Sequence, residues 1–138
     1  ELLHISKDLG LKPDSIHQDE LSAVLHRADI LSIHLPLLAE TDGIINTKDL
    51  SLLKPSISII NTARGCIVNE SALHAFLSSN LDSFAAFDVY AEEPAIENPL
   101  FELTNFFGTS HRSSLTHEGI NAMGLAAIAG LDDNKILT

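Results

Sequence analysis

The stretch SISIINTARGCIVNESALHAFLSSN, residues 56–80, contains the pattern that decides the fold. It opens with an apolar run rich in isoleucine, which is typical of a strand buried on both faces. A helical pattern follows, with Asn69 as its candidate N-cap and one apolar stripe formed by Ala72, Leu73, Phe76 and Leu77. A strand, a short helix and a further strand predict a right-handed βαβ crossover in a parallel sheet.

The same alternation continues along the chain. Further strand-like runs are ADILSIHLP (28–36), FAAFDVY (84–90) and NFFGTSH (105–111). Further helical patterns are DELSAVLHRAD (19–29), NTKDLSLLKP (46–55) and LTHEGINAMGLAAIAGL (115–131). Thr47 and Thr116 are the candidate N-caps of the last two. We therefore predict an α/β fold with a parallel sheet and helices on both of its faces.

Composition limits the function classes. A chain of 138 residues with 45% hydrophobic content predicts one domain with a real core. Its formal charge of -11 would repel phosphate backbones and anionic membranes, so we expect no nucleic acid and no membrane as partner. The single cysteine, Cys66, offers neither a disulfide nor a zinc cluster, and no metal site is expected. No apolar stretch approaches the roughly 20 residues of a membrane span, and the first residues show no basic region followed by an apolar one, so the sequence predicts a cytoplasmic protein.

Polar side chains follow each predicted strand, and in open parallel sheets ligands bind at this carboxyl edge. An arginine directly after an apolar strand is costly to desolvate unless it meets an anion, so Arg64 could hold a substrate carboxylate. His111, after the last strand, could move a proton near neutral pH. Either Glu92 or Glu93 could hold that imidazole in one tautomer. Together these groups suit removal of the hydroxyl proton from a 2-hydroxy acid while hydride leaves the carbon that carries this hydroxyl group.

Five motifs in order carry a family resemblance: HLPLLAETDGIIN, INTARGCIVNESAL, AAFDVYAEEP, NPLFELTN and TSH. Over roughly residues 19–123 the chain resembles the D-isomer-specific 2-hydroxyacid dehydrogenases, phosphoglycerate dehydrogenase among them. The resemblance implies a Rossmann-like sheet and three catalytic residues. Arg64 would bind substrate, His111 would be the acid/base, and Glu93 its partner. Glu93 is preferred to Glu92 because it stands five residues after Asp88, as in the family pattern.

The resemblance also implies NAD as cofactor. The residues that it places beside the cofactor are Pro36, Thr41, Thr62, Ala63, Arg64, Asp88 and His111, with Asp88 near the nicotinamide carboxamide. NAD is the family default over NADP. A homodimer is likewise the family's usual assembly, and the small residues of the last helical pattern are compatible with it.

The sequence departs from the family at its amino-terminal side. The family's G-x-G-x-x-G loop is absent, because the glycines at 10, 43, 65, 108, 119, 124 and 130 never stand two apart. The acidic residue that binds the adenosine ribose would precede Glu1. We therefore expect residues 1–138 to form a partial dinucleotide-binding domain without the first βαβ unit and without the substrate domain. Alone, it should expose apolar faces around ILSIH (30–34) and be inactive.

Further departures surround the candidate histidine. The family usually follows it with isoleucine or leucine and then glycine, whereas this chain has Arg112 and Ser113. Ser110 stands where proline is common, and Phe84 where glycine is common. These changes leave the three catalytic residue types in place, but they affect the expected cofactor geometry.

Two function classes follow from the resemblance. The first is an oxidoreductase that transfers a hydride between NAD and a small D-2-hydroxy acid, with 3-phosphoglycerate as one candidate. The alternative is a non-catalytic, NAD-sensing protein-interaction module of the corepressor type. Retention of Arg64, Glu93 and His111 favours the enzyme, since a binding module has no need of an acid/base pair. A degenerate fragment that binds nothing is the third possibility, to which the missing glycine loop lends weight.

Overall fold

The computed structural model describes residues 20–132 as alternating strands and helices. The strands are β1 (Ile30–Ile33), β2 (Ser58–Asn61), β3 (Phe84–Phe87) and β4 (Phe106–Gly108). The helices are α1 (Leu21–Arg27), α2 (Thr47–Leu50), α3 (Glu70–Ser79) and α4 (His117–Asp132), and Pro99–Glu102 forms a 3-10 helix. Every strand lies within its predicted stretch. The expectations that concern residues 1–19 fall outside the described part of the chain.

The four strands form one parallel sheet in the order β1-β2-β3-β4. In register, Ile30 pairs with Ser58 and Ser58 with Phe84, so these three side chains share one face of the sheet. Each crossover after β1 passes through the helical segment that separates two neighbouring strands. The predicted Rossmann-like α/β class is confirmed.

The hydrophobic core lies on one face of this sheet. Ile33, Ile59 and Phe87 are buried there together with the apolar stripes of α1, α2 and α3. On the other face Ile30 is 66% exposed and Phe107 58% exposed. The prediction that each strand is buried on both faces is therefore wrong at these positions, whereas the expected exposure of apolar surface around residues 30–34 is confirmed at Ile30. The physical reason is that α4, whose side chains between His117 and Leu131 are exposed, does not pack over this face.

Two of the three predicted N-cap residues cap their helices in the structure. The Asn69 side chain accepts a hydrogen bond from Ala72 N at 2.8 Å, and Thr116 Oγ1 accepts one from Gly119 N at 3.0 Å, as expected. The prediction of Thr47 as a cap is wrong. Asn46 caps α2, because Asp49 completes a reciprocal capping box by accepting from Asn46 N at 3.1 Å.

Within residues 20–132, none of the helices combines the length and the apolar character that a bilayer crossing requires.

Candidate active site

The candidate residues lie on the segments that leave the strands at the carboxyl edge of the sheet. Two backbone hydrogen bonds extend the ladder past the strand ends, from Asp88 N to Asn61 O at 3.0 Å and from Thr109 N to Phe87 O at 2.9 Å. The segments that leave β2, β3 and β4 therefore start side by side. This is the edge at which parallel sheets bind ligands.

A carboxylate and an imidazole meet at this edge. His111 Nδ1 lies 2.7 Å from Glu93 Oε2, and the other carboxylate oxygen of Glu93 accepts a hydrogen bond from Tyr90 N at 3.0 Å. The hydrogen bond with His111 and the Tyr90 amide lower the pKa of Glu93. A charged Glu93 holds the proton on Nδ1, which leaves Nε2 free to exchange a proton with a ligand. The predicted pairing of Glu93, and not of the exposed Glu92, is present in the structure.

The backbone of His111 is in the left-handed region, with φ of 50°. A residue with a Cβ atom adopts this conformation at a cost of roughly 1–2 kcal/mol, so neighbouring contacts must hold it. The carboxylate of Asp88 supplies them on both sides of the histidine. It accepts from Thr109 Oγ1 at 2.5 Å, from Arg112 N at 2.8 Å and from Ser113 N at 2.8 Å.

Asp88 itself is almost completely buried, with 2% of its surface exposed. Burial acts to raise the pKa of this carboxyl, but the hydrogen bonds from Thr109, Ser113 and the Arg112 amide outweigh it and lower the pKa well below the ordinary range. Asp88 is therefore ionised at neutral pH. Its charge is satisfied by the loop that carries His111.

Arg64 stands on a tight turn after β2. The buried Asn61 side chain shapes this turn by donating to Arg64 O at 3.0 Å and accepting from Ala63 N at 3.1 Å. The guanidinium is exposed and donates to Ala63 O at 2.6 Å. The desolvation argument for an anion at Arg64 is therefore wrong for the chain as described here. Its exposed position instead leaves it accessible to a ligand.

Gly65 connects the Arg64 turn to the histidine–glutamate pair. A Cβ atom at position 65 would overlap the backbone carbonyl of Tyr90, so only glycine allows this approach. Tyr90 N in turn donates to Glu93. The structure thus brings Glu93 and His111 into direct contact, and it relates Arg64 to them through two backbone segments.

A pocket of about 730 Å³ opens beside the imidazole. Its ionisable lining side chains are Glu93, His111 and Arg112, and its apolar wall includes Ile96 and Phe101. Arg64 is not among the lining residues. The pocket therefore places apolar surface beside the His111 side chain.

The remaining cofactor candidates lie on the loops after β1 and β2. Thr41 Oγ1 donates to Pro36 O at 2.6 Å and accepts from Leu38 N at 2.8 Å, which makes Pro36 and Thr41 parts of one folded loop. Thr62 is exposed and Ala63 half-buried at the start of the Arg64 turn. The structure brings these residues to the same edge of the sheet.

Sequence reasoning missed three supporting residues: Asn61 as the residue that shapes the turn, Thr109 as a partner of Asp88, and Tyr90 as the donor to Glu93. One signal could have found Thr109. An aspartate that follows a buried strand needs hydrogen-bond donors, and a hydroxyl residue after the neighbouring strand is a candidate. The role of Tyr90 depends on a backbone amide and leaves no such signal.

Comparison with known proteins links this geometry to a family. The family model described as "D-isomer specific 2-hydroxyacid dehydrogenase, NAD binding domain" matches residues 4–113. D-3-phosphoglycerate dehydrogenase of Methanocaldococcus jannaschii is 38% identical over 106 residues, which are 77% of this chain and 20% of that protein. Glyoxylate reductase of Thermococcus litoralis is 38% identical over 104 residues, 75% of this chain and 31% of that protein. The chain thus spans about a fifth of the phosphoglycerate dehydrogenase that it matches.

Solved structures of proteins named as dehydrogenases share this fold. The holo form of Rhodotorula graminis D-mandelate dehydrogenase superposes with a TM-score of 0.78 at 27% identity, covering 92% of this chain and 36% of that one. A D-isomer-specific 2-hydroxyacid dehydrogenase from Xanthobacter autotrophicus Py2, in complex with NADPH and MES, gives a TM-score of 0.69 at 30% identity. It covers 84% of this chain and 49% of that one.

Proposed function

Because the chain belongs to the D-isomer-specific 2-hydroxyacid dehydrogenase family, as part of its NAD-binding domain, we propose that the protein transfers a hydride between NAD and a small D-2-hydroxy acid. Its relatives include proteins named D-3-phosphoglycerate dehydrogenase and glyoxylate reductase, and 3-phosphoglycerate is one candidate substrate. The observation that carries this proposal is the 2.7 Å contact between His111 and Glu93 at the carboxyl edge of the sheet.

The residues at this edge fit the nicotinamide end of the cofactor. Thr62 presents an exposed hydroxyl, and the small side chain of Ala63 leaves room beside it. Pro36 and Thr41 form a folded loop on the neighbouring strand end. When bound, the nicotinamide accepts or donates the hydride. No G-x-G-x-x-G occurs within the 138 residues, so we assign no residue to the pyrophosphate.

His111 is proposed as the acid/base. In the reducing direction, Nε2 donates its proton to the carbonyl oxygen of the 2-oxo acid as hydride reaches the carbonyl carbon. In the oxidising direction, Nε2 takes the hydroxyl proton. The negative charge of Glu93 stabilises the protonated ring and keeps Nδ1 as the donor to Oε2.

Arg64 is proposed to bind the substrate carboxylate, because its fork of donors matches two carboxylate oxygens and is exposed at the same edge. Asp88 has a second proposed role. Its hydrogen bonds to residues on both sides of His111 make it a positioning residue for that loop. A contact between Asp88 and the nicotinamide carboxamide remains a prediction from the family resemblance.

Glu93→Gln tests the proposal, with Glu92→Gln as the matched control. We expect Glu93→Gln to lower kcat for 2-oxo acid reduction with NADH by about 10²-fold or more in the protein at its natural length, because a neutral partner no longer stabilises the protonated ring. Glu92 is exposed, and its replacement should change kcat less than twofold. Equal effects of the two substitutions would contradict the proposed pair.

The corepressor alternative predicts a different result from the unaltered protein. It would bind NADH and a peptide partner, and it would turn over none of a panel of 2-oxo acids. The 138-residue chain alone is proposed to be inactive, because it has no glycine-rich loop for the pyrophosphate. NADH oxidation by that chain would contradict this part of the proposal.

We further propose a homodimer in the cytoplasm. Helix α4 exposes a row of apolar side chains: Ile120, Met123, Leu125, Ile128 and Leu131. A surface of this kind is typical of an interface. The single cysteine suits a reducing compartment. Sedimentation equilibrium would measure the assembly, and a monomer at micromolar concentration would contradict it.

A further inference from the structure

Arg112 is the charged group of the pocket that the acid/base chemistry leaves unused. Glu93, the pocket's carboxylate, is engaged by His111 at 2.7 Å and by Tyr90 N at 3.0 Å. Within residues 20–132, no hydrogen bond or ion pair involves the Arg112 guanidinium. Its backbone amide is fixed on Asp88 at 2.8 Å, so the base of this side chain has a defined position beside the imidazole.

The surroundings of this guanidinium favour an anion. The pocket that Arg112 lines also includes the apolar residues Ala95, Ile96 and Phe101, and a charge pair is stronger beside apolar surface than in open water. A guanidinium binds carboxylate or phosphate with two parallel hydrogen bonds, which a lysine does not reproduce. In a chain with a formal charge of -11, a cationic side chain without an acidic partner at this edge is unusual.

Arg64 and Arg112 occupy separate positions near the carboxyl edge of the sheet. Arg64 stands on the turn after β2 and does not line the pocket, whereas Arg112 lines it together with His111. Since the proposed role of Arg64 is to bind the carboxylate of the 2-oxo acid, Arg112 is available for a second group on the same molecule.

We propose that Arg112 is a specificity residue that selects substrates with a second anionic group, a carboxylate or a phosphate, beyond the 2-oxo acid itself. This proposal rests on the proposed dehydrogenase function and narrows its substrate class to dianionic acids. The residue after the histidine thus decides which acid is preferred, while Glu93 and His111 carry out the proton transfer.

The test compares Arg112→Leu with the unaltered protein, both at natural length, on two matched substrate pairs with NADH. One pair is 2-oxoglutarate and 2-oxopentanoate, which differ by a terminal carboxylate. The other is phosphohydroxypyruvate and hydroxypyruvate, which differ by the phosphate. Lys48→Leu is the control variant, since it removes one positive charge from an exposed helix position away from the site.

Arg112→Leu is expected to lower kcat/KM about 10- to 100-fold for one of the dianionic members and less than threefold for its monoanionic match. The pair that responds identifies carboxylate or phosphate as the second group. An equal loss for both members of each pair, or no loss, would overturn the proposal. A raised KM for NADH with unchanged discrimination would overturn it as well, because Arg112 would then serve the cofactor.

A binding measurement separates this proposal from the dehydrogenase function. If the unaltered protein reduces none of the four acids, the proposed function fails. Whether Arg112 forms an anion site is then tested by NMR, by following the amide resonances of residues 112 and 113 during titration with inorganic phosphate and with succinate. Saturable shifts that Arg112→Leu abolishes, and Lys48→Leu preserves, would support an anion site. Shifts that do not saturate would overturn it.

Discussion

Replacing Asp88 with asparagine should loosen the loop that carries His111. The carboxylate accepts three hydrogen bonds, at 2.5, 2.8 and 2.8 Å, while 2% exposed. Asparagine replaces one carboxylate oxygen with an NH2 group, which then faces either Ser113 N or both Arg112 N and Thr109 Oγ1. One buried donor then loses its partner at about 1–3 kcal/mol, and the remaining bonds lose their charge. Relief from burying a charge offsets part of this, so we expect a net cost of about 3 kcal/mol.

Hydrogen exchange measures this cost where it arises. The amides of Arg112 and Ser113 donate to Asp88, and a loss of 3 kcal/mol should speed their exchange by about 100-fold. Asp82→Asn is the control, because Asp82 is an exposed carboxylate on the same segment. Exchange rates at 112 and 113 that stay within threefold in Asp88→Asn would refute the reasoning.

The pH dependence has a defined sign. The folded-state pKa of Asp88 is lowered, so its contribution to stability is fully present above its unfolded pKa, about 3.9. That contribution is lost as pH falls further toward the folded-state pKa. The difference between the unaltered protein and Asp88→Asn should therefore be constant from neutral pH down to about 5 and shrink below about 4. A difference that grows on acidification would contradict this assignment.

Three further predictions concern stability in urea denaturation of the natural-length protein. Gly65→Ala should destabilise by about 2 kcal/mol or more through overlap with the Tyr90 backbone, and an unchanged free energy of unfolding would contradict the packing argument. Cys66→Gly should stabilise by about 0.5 kcal/mol, since φ is 61° there, and a loss would show that the thiol packs favourably. Asn69→Ala should cost about 1 kcal/mol by removing the cap of α3, and an unchanged midpoint would refute it.

The sequence predicted the strands and their parallel arrangement because each apolar run is short and the first, second and fourth runs are followed by a helical pattern. It could not predict which face of the sheet stays open. Ile30 and Phe84 belong to runs without alternation, and burial on both faces requires a second layer that the runs themselves do not reveal. The Thr47 error has a local cause, since Asn46 with Asp49 offered a reciprocal capping box one residue earlier.

The candidate site was predictable as a set of residues and less so as an arrangement. Family spacing chose Glu93 over Glu92, and the pairing with His111 is present. The left-handed backbone at His111 and its support by Asp88 depend on tertiary hydrogen bonds between two strand ends. The accessibility of Arg64 also arises from the turn that Asn61 builds, and no residue pattern specifies it.

The close approach of Gly65 to Tyr90 has a consequence for motion. Two backbones in van der Waals contact cannot approach each other further without a steric clash, so a motion that brings the Arg64 turn closer to the Glu93 segment is excluded. The smallest separation of these two segments is therefore set when the chain folds, and an arriving ligand meets an arrangement that it cannot compress.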